Sequence, residues 1–122
     1  MNSLLLVEDQ RDLRDLEERV LKAAGYTVIA LGHSEDALQL AKDPQQVVEL
    51  LVTDYNLPGV SGRELALALK AQYPQLRVLL TTGQTRDELG NLDAFEGWGE
   101  YLGKPFEFNA MLSALKRLQA LP

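Results

Sequence analysis

The sequence predicts a single doubly wound α/β domain, and its length and patterning predict this fold class. The chain has 122 residues, the size of one domain, and 46% of them are hydrophobic, which is enough for a core. Short apolar runs alternate with longer stretches whose apolar residues recur at helical spacing. The central runs are almost continuously apolar, as expected for strands covered on both faces. This alternation predicts parallel strands joined by right-handed crossovers.

The first predicted strand is the apolar run at residues 4–7. A helix follows, and four of its apolar side chains recur at helical spacing: Leu13, Leu16, Val20 and Ala24. Its charged residues are interpreted as a solvated face: Arg11, Asp12, Arg14, Asp15, Glu17, Glu18 and Arg19. Gly25 is the predicted end of this helix, because glycine adopts the left-handed conformation that often closes a helix. Residues 26–31, rich in β-branched side chains, predict the second strand.

A second helix and a third strand come next. Ser34 is predicted to cap a short helix, and the apolar run at residues 47–53 predicts a strand that ends on Asp54. A loop dense in turn residues follows this strand. Ser61 and Glu64 then have the spacing of a capping box, in which each side chain satisfies a backbone N–H at the start of a helix.

The second half of the chain repeats the alternation with one weak element. Residues 76–80 predict the fourth strand, and residues 98–102 predict the fifth. Between them, residues 84–96 are only weakly helical, because Gly90 and Asn91 are costly in a helix interior. The last helix has apolar residues on one face: Phe108, Met111, Leu112 and Leu115.

Composition excludes several kinds of function. The formal net charge of −6 has the wrong sign for neutralising phosphates, so direct nucleic-acid binding is not expected. The absence of cysteine excludes disulfides, thiolate metal sites and cysteine nucleophiles. The run at residues 4–7 is too short to span a membrane or to form a signal core. His33, the single histidine, is interpreted as a loop residue because no partner stands at metal-ligand spacing.

Reactive side chains follow four of the five predicted strands. In open parallel sheets, ligands bind beyond the carboxyl ends of the strands. The residues there are Glu8 and Asp9 after the first strand, Asp54 after the third, Thr82 and Gly83 after the fourth, and Lys104 and Pro105 after the fifth. Taken singly, each has a structural interpretation as an acidic helix start, a turn residue or a solvated lysine. Together they favour one site.

These residue types suit phosphoryl transfer. Carboxylates hold Mg²⁺, and a carboxylate can also be the nucleophile that forms an acyl phosphate. An ammonium group stabilises the charge on the transferring oxygens, and a hydroxyl and a backbone N–H can donate to them. Crowded carboxylates raise the pKa of at least one of their number, and Lys104 opposes that change. We therefore expect metal binding and protonation of the site to be coupled.

Four motifs resemble the CheY-like receiver domains of two-component response regulators. They are residues 7–9 (Val-Glu-Asp), 54–62 (from Asp54 to Gly62), 80–83 (Leu-Thr-Thr-Gly) and 101–106 (Tyr-Leu-Gly-Lys-Pro-Phe). Each motif alone is weak, but all four occur in the family's order, and the resemblance covers residues 1–122. It implies a flavodoxin-like sheet of five parallel strands in the order 2-1-3-4-5, with five helices.

The resemblance also implies an acceptor and a metal site. Asp54 resembles the phosphoacceptor, Asp9 a direct metal ligand, and Glu8 an acidic partner that acts on the metal largely through water. Asp54 would also bind the metal, and Asn56 resembles the position whose backbone carbonyl completes this site. The implied cofactor is Mg²⁺, with Mn²⁺ as an alternative.

Other matched residues are implied to bind the phosphoryl group or to respond to it. Thr82 and Gly83 resemble the switch hydroxyl and its neighbour, and Lys104 resembles the lysine that pairs with the acyl phosphate. Pro105 implies a cis Lys-Pro bond. Tyr101 resembles the switch aromatic residue that repacks when the hydroxyl moves. The positions that tune hydrolysis hold Asn56 and Gln84, both uncharged, which implies an intermediate lifetime of the acyl phosphate.

One region departs from the family. Trp98 stands where a small residue is common, and Gly90 lies within the fourth helix. We expect this helix to be short, displaced or mobile. It belongs to the surface, formed with the fifth strand and last helix, through which this family signals.

The leading hypothesis is a phosphoacceptor signalling domain in the cytoplasm, not an enzyme beyond its own phosphoryl transfer and autodephosphorylation. Its expected partners are a histidine kinase or histidine phosphotransfer protein as donor, and an output partner or a fused effector or kinase domain. A phosphorylation-dependent homodimer is a further candidate. No contact with nucleic acid or membrane is expected. The sequence fits both a single-domain regulator and a receiver cut from a longer protein.

Two alternatives come from other functional classes. A binding module of this fold that signals without phosphorylation would not need the complete acidic set with Lys104. An aspartate-nucleophile phosphatase of the haloacid dehalogenase type would need a second aspartate where this chain has Asn56. Labelling by a small phosphodonor distinguishes the leading hypothesis from the binding module, which would not be labelled. Multiple turnover on phosphomonoesters would instead favour the phosphatase.

Overall fold

A computed structural model describes residues 3–122, apart from the side chain of Arg86. Met1 and Asn2, which the predicted domain includes, lie outside the described residues. Five parallel strands form one sheet in the order β2-β1-β3-β4-β5. The strands are β1 (Ser3–Val7), β2 (Thr27–Leu31), β3 (Leu50–Asp54), β4 (Arg77–Thr82) and β5 (Gly99–Gly103). The helices are α1 (Arg11–Ala23), α2 (Ser34–Leu40), α3 (Gly62–Gln72), α4 (Arg86–Leu89) and α5 (Phe108–Gln119). The predicted flavodoxin-like fold is confirmed.

The core has two layers, one on each face of the sheet. Alternate residues of β1 enter opposite layers: Leu4 and Leu6 pack with the layer that contains Met111 of α5, and Leu5 with the layer that contains Leu65 of α3. All five side chains are at most 2% exposed. Both faces of the strand are therefore covered, which explains the unbroken apolar run in the sequence.

Helix α1 ends as predicted but buries a different face. Gly25 has φ +101°, and the N–H groups of Gly25 and Tyr26 bond back to carbonyls of the last turn, which closes the helix as a Schellman motif. The side chain of Leu16 is 39% exposed, whereas Glu17 is only 1% exposed. Glu17 lies one turn before the buried Leu21, and residues at this spacing share a helix face. The interpretation of Glu17 as a solvated residue was wrong.

Helix α2 and strand β3 begin at other residues than predicted. His33 is the N-cap of α2, and Ser34 is the first helical residue, fully buried. The Ser34 hydroxyl does not cap the helix because it donates to the carbonyl of Val60 over 2.8 Å. Strand β3 begins at Leu50, and Val47, the predicted first strand residue, is 64% exposed. The predicted capping box of α3 is confirmed.

The weakly helical region holds two short elements. Helix α4 has four residues, Gly90 follows it with φ +77°, and a 3-10 helix (Asp93–Phe95) comes next. The expectation of a short fourth helix is confirmed. Trp98 lies just before β5, and its ring centroid is 5.1 Å from that of Phe95. The indole N–H donates to the carbonyl of Ala94 over 2.7 Å, so the large ring packs against the 3-10 helix.

Candidate functional site

Three carboxylates meet at the carboxyl edge of the sheet. Glu8 and Asp9 follow β1, Asp54 ends β3, and these two strands pair in parallel. One carboxylate oxygen from each residue lies within 4.8 Å of the others. Glu8 and Asp54 are 1% and 6% exposed, whereas Asp9 is exposed. The sequence-predicted acids are therefore brought together, and two of them are shielded from water.

Lys104 bridges two of the acids. Its ammonium nitrogen lies 2.6 Å from Oδ1 of Asp54 and 3.2 Å from Oε1 of Glu8. The backbone N–H of Lys104 donates to the carbonyl of Thr82 over 2.7 Å, which continues the β4–β5 ladder and fixes the start of the side chain. The Lys104–Pro105 peptide bond is cis, as the resemblance implies.

A close backbone contact holds Asp54 from the side of α3. Gly62, the first residue of α3, donates its N–H to the carbonyl of Tyr55 over 2.8 Å. A side chain at Gly62 would overlap the backbone carbonyl of Asp54. Glycine at this position thus lets the start of α3 approach the end of β3.

The hydroxyl of Thr81 is a further contact of Asp54. Thr81 pairs with Asp54 in the β3–β4 register, and its Oγ1 donates to Oδ1 of Asp54 over 2.8 Å. The side chain is 2% exposed, so the hydrogen bond is shielded from water. Thr81 was part of a sequence motif but was not predicted as a site residue.

The predicted switch and tuning residues form a second set of contacts. Oγ1 of Thr82 accepts the backbone N–H of Gln84 over 3.0 Å. The amide of Asn56 donates to Oε1 of Gln84 over 2.6 Å, so the loops after β3 and β4 are joined across the site. Gly83 is exposed between them, and a Cβ there would meet no atom within 4 Å.

Tyr101 lies among other aromatic residues. It is half-buried on β5, and its ring centroid is 6.4 Å from that of Tyr55 and 6.1 Å from that of Phe95. The Phe95 contact is edge to face. Tyr101 therefore lies between Tyr55, in the loop after β3, and Phe95, in the 3-10 helix.

An open cleft of about 240 Å³ exposes the site. It is lined by Asp9, Gln10, Asp54, Asn56, Thr81, Thr82, Gly83 and Lys104. A phosphoryl group or a hydrated cation is small enough to enter this volume. All but two of the lining residues, Gln10 and Thr81, were predicted from the sequence.

Burial and crowding change the pKa of two groups at this edge. Burial, reinforced by a hydrogen bond with Asp54, raises the pKa of Glu8 to about 8. The charge of Lys104 opposes this rise, as predicted. Burial alone would lower the pKa of Lys104, but its hydrogen bonds and charge interactions with Asp54 and Glu8 outweigh it and raise the pKa. The lysine therefore stays charged, and a proton competes with any cation for Glu8.

The donor set fits a divalent cation. Mg²⁺ prefers oxygen ligands and keeps several waters, so it needs only a few carboxylates beside an open cleft. Glu8, Asp9 and Asp54 supply these oxygens within 4.8 Å of one another, and Asn56 lines the same cleft. Across the described part of the chain, this is the one acidic group with such spacing.

Two side chains of α1 also act near the site, although both were interpreted as solvated. Arg14 donates from Nη1 to the carbonyl of Glu8 over 3.0 Å, and is therefore partly engaged in holding the turn after β1. Glu17 is buried, and burial, with a further contribution from the charge of Asp54, raises its pKa to about 7. Helical spacing alone could not identify either, because the charged residues of α1 occur on all sides of the helix.

Comparison with known proteins places the chain among signalling proteins. The sequence matches the family described as response regulator receiver domain over residues 4–116. It is 33% identical over 114 residues to the response regulator protein FleR of Pseudomonas aeruginosa, covering 93% of this chain and 24% of FleR. It is 35% identical over 118 residues to the response regulator RppA of Synechocystis, covering 95% of this chain and 50% of RppA.

A solved structure of high similarity is the chemotaxis response regulator CheY4 of Vibrio cholerae. The TM-score is 0.82 at 29% identity, and the match covers 97% of this chain and 98% of that chain. The chain thus spans a quarter to a half of the curated relatives FleR and RppA but matches CheY4 almost end to end. Within residues 3–122, no helix has the length and apolar character needed to cross a membrane.

Proposed function

This chain belongs to the response regulator receiver domain family, and from that premise we propose that it is a phosphorylation switch in which Asp54 accepts the phosphoryl group. The observation that carries the proposal is the contact of Lys104 with both Asp54 and Glu8, at 2.6 and 3.2 Å, beside the exposed Asp9. A buried acceptor, a fixed cation and a set of metal-binding oxygens are the parts that phosphoryl transfer to a carboxylate requires.

The proposed reaction is transfer from a phosphohistidine of a histidine kinase or a histidine phosphotransfer protein. A carboxylate oxygen of Asp54 forms a bond to phosphorus, the bond from phosphorus to the imidazole nitrogen breaks, and its electron pair stays on that nitrogen. Lys104 stabilises the negative charge on the transferring oxygens. The hydroxyl of Thr82 and the backbone N–H of Gly83 are the proposed donors to the bound phosphoryl group.

Glu8, Asp9, Asp54 and the backbone carbonyl of Asn56 are the proposed ligands of Mg²⁺, with Mn²⁺ as an alternative. When bound, the cation supplies positive charge that stabilises the phosphoryl oxygens and offsets the crowding of the carboxylates. The chain's own part is to hold carboxylate oxygens of Glu8, Asp9 and Asp54 within 4.8 Å of one another and to keep the Asp54 side chain largely buried.

The proposed output is a change at the surface formed by α4, β5 and α5. Thr82 would move toward the phosphoryl group, which breaks its contact with the backbone N–H of Gln84 at 3.0 Å. Tyr101 would then repack between Tyr55 and Phe95, which its ring already contacts. Such a switch shifts an equilibrium between two conformations and thereby changes partner binding.

We propose that the chain forms one receiver domain that acts in the cytoplasm and catalyses only its own phosphoryl transfer and autodephosphorylation. Its output partner is a separate protein or a fused effector or kinase domain, and a phosphorylation-dependent homodimer is a further candidate. Asn56 and Gln84 share a hydrogen bond of 2.6 Å and are uncharged, which favours an intermediate rate of hydrolysis. A decay time of many hours in Mg²⁺ would contradict that rate.

The test is labelling by a small phosphodonor, such as acetyl phosphate, with and without Mg²⁺. Intact-mass spectrometry should show a gain of one phosphoryl group on the wild type only when Mg²⁺ is present. Asp54→Ala should abolish the gain, whereas Asp93→Ala, a change on the exposed side of the 3-10 helix, should preserve it. An unlabelled wild type, under conditions that label a control receiver, would refute the proposed function.

A further inference from the structure

Two adjacent threonines end β4, and they contact different parts of the site. The hydroxyl of Thr82 accepts the backbone N–H of Gln84, whereas the hydroxyl of Thr81 donates to Oδ1 of Asp54 over 2.8 Å. Successive strand residues point to opposite faces, so the two hydroxyls approach the site from opposite sides of the sheet. The roles of the two residues should therefore differ.

The hydrogen bond from Thr81 is directed and buried. A hydroxyl has one hydrogen to donate, and the alternative acceptor, the carbonyl of Thr53, is 3.5 Å away. The shorter distance assigns the hydrogen to Oδ1 of Asp54. Thr81 and Asp54 are 2% and 6% exposed, so water cannot readily replace this donor. The β3–β4 register places the two residues directly opposite each other, which keeps the contact in place.

Oδ1 of Asp54 receives a second donor from another strand. The ammonium of Lys104 lies 2.6 Å from the same oxygen. The last torsion of an aspartate side chain has a broad, two-fold preference, so the plane of the carboxylate is set by its partners and not by its own rotamer. Two donors on one oxygen, from β4 and from the loop after β5, oppose rotation of that plane.

We propose that Thr81 is a positioning residue that fixes the rotation of the Asp54 carboxylate before phosphoryl transfer. This inference rests on the proposed function and deepens it, since it assigns different roles to the two threonines. Thr81 orients the acceptor, and Thr82 responds to the phosphoryl group. Misplacement of a reacting group by about 1 Å can cost about a hundredfold in rate, so loss of one of the two donors to Oδ1 of Asp54 should slow the transfer by about tenfold.

The test compares three variants. Thr81→Val removes the hydroxyl and keeps the branched shape, and Thr81→Ser keeps the hydroxyl and removes a methyl group. Thr53→Val is the matched control, because Thr53 is a fully buried threonine of β3 whose hydroxyl donates to the backbone carbonyl of Asp54, at 3.1 Å, and not to its carboxylate. The readouts are the initial rate of labelling by acetyl phosphate in saturating Mg²⁺ and the orientation of the Asp54 carboxylate in a crystal structure of each variant.

The expected result is labelling of Thr81→Val about tenfold slower than the wild type in saturating Mg²⁺. Thr81→Ser and Thr53→Val should label at nearly the wild-type rate. A wild-type rate for Thr81→Val would overturn the inference, as would equal losses in Thr81→Val and Thr53→Val, which would indicate a general packing effect.

The crystal structures separate this inference from the proposed function. A rotated Asp54 carboxylate in Thr81→Val, with an unrotated one in Thr53→Val, supports the positioning role even if the wild type is not labelled. An unlabelled wild type refutes only the phosphorylation proposal. An unrotated carboxylate in Thr81→Val overturns the positioning role, whatever the labelling shows.

Discussion

The buried Glu17 should make the protein less stable as the pH rises, and Glu17→Gln should remove this effect. Glu17 is 1% exposed on the sheet-facing side of α1. Burial, with a further contribution from the charge of Asp54, raises its pKa from 4.5 to about 7. Glutamine has nearly the same shape and no charge at any pH, so the substitution isolates the cost of ionising this side chain.

The magnitude follows from the linkage between ionisation and folding. Below pH 4.5, Glu17 is mostly protonated and neutral in both the folded and the unfolded chain, so it does not change the free energy of unfolding with pH. Between pH 4.5 and about 7 the unfolded chain loses the proton first, so the folded state loses stability as the pH rises. At about 1.4 kcal/mol per pH unit, the loss above pH 7 is on the order of 3 kcal/mol.

The assay is urea unfolding of the wild type and Glu17→Gln between pH 4.5 and 8, with a chelator present. The free energies of unfolding should nearly agree at pH 4.5, and the variant should be more stable by about 3 kcal/mol at pH 8. Glu8 titrates in both proteins, so its contribution cancels in the difference. Glu18→Gln is the control: this neighbour pairs with Lys22 at 2.9 Å and should change stability by only about 0.3 kcal/mol.

A difference between wild type and Glu17→Gln that does not change with pH would refute this reasoning. So would a variant less stable than the wild type at pH 8. Either result would mean that the Glu17 carboxylate has a compensating partner when it ionises.

Three further predictions concern the site and its supports. Gly62→Ala should lower the free energy of unfolding in urea by at least about 3 kcal/mol and abolish labelling of Asp54, because the new side chain would overlap the Asp54 carbonyl. Gly83→Ala should change both quantities little, because a Cβ there meets no atom within 4 Å. Equal stability of the two variants would be inconsistent with that contact. Calorimetry should show Mg²⁺ affinity rising by up to about tenfold per pH unit towards pH 8, because binding displaces the proton of Glu8, and a flat profile would exclude this competition. Ser61→Ala should cost about 1 kcal/mol in thermal or urea unfolding, because the α3 capping box is lost, and an unchanged midpoint would count against the cap.

The positions of the reactive side chains could be predicted from the sequence because they depend on a simple rule. Each strand is a visible apolar run, and the residue after it must lie at the same edge of a parallel sheet. Glu8, Asp54 and Lys104 were placed in this way without knowing which strands are neighbours. The rule concerns the ends of strands, so small errors in where β3 or β5 begins did not affect it.

The contacts that depend on register or rotation could not be predicted. Thr81 and Thr82 are adjacent in sequence, and only the pairing of β3 with β4 shows that Thr81 faces the Asp54 carboxylate. The burial of Glu17 could be predicted only from the rotation of α1 about its axis, and the charged residues of α1 do not specify that rotation because they occur on all sides of the helix. Ser34 has the side chain of a helix cap, but a tertiary acceptor, the carbonyl of Val60, lies 2.8 Å from its hydroxyl. For Thr81 and Ser34, a partner distant in sequence decided the outcome.

The strand order has a consequence for how the site forms during folding. Strand β1 pairs with β3, more distant in the chain, whereas β3, β4 and β5 pair with their sequence neighbours. Closing a longer loop costs more entropy, so the β1–β3 pairing is the less favourable one to form early. Asp54 and Lys104 lie on the side that local pairing can assemble, and Glu8 and Asp9 arrive with β1. A partly folded chain would therefore hold the proposed acceptor without its acidic partners, and binding of Mg²⁺ at the proposed site would report the completion of folding.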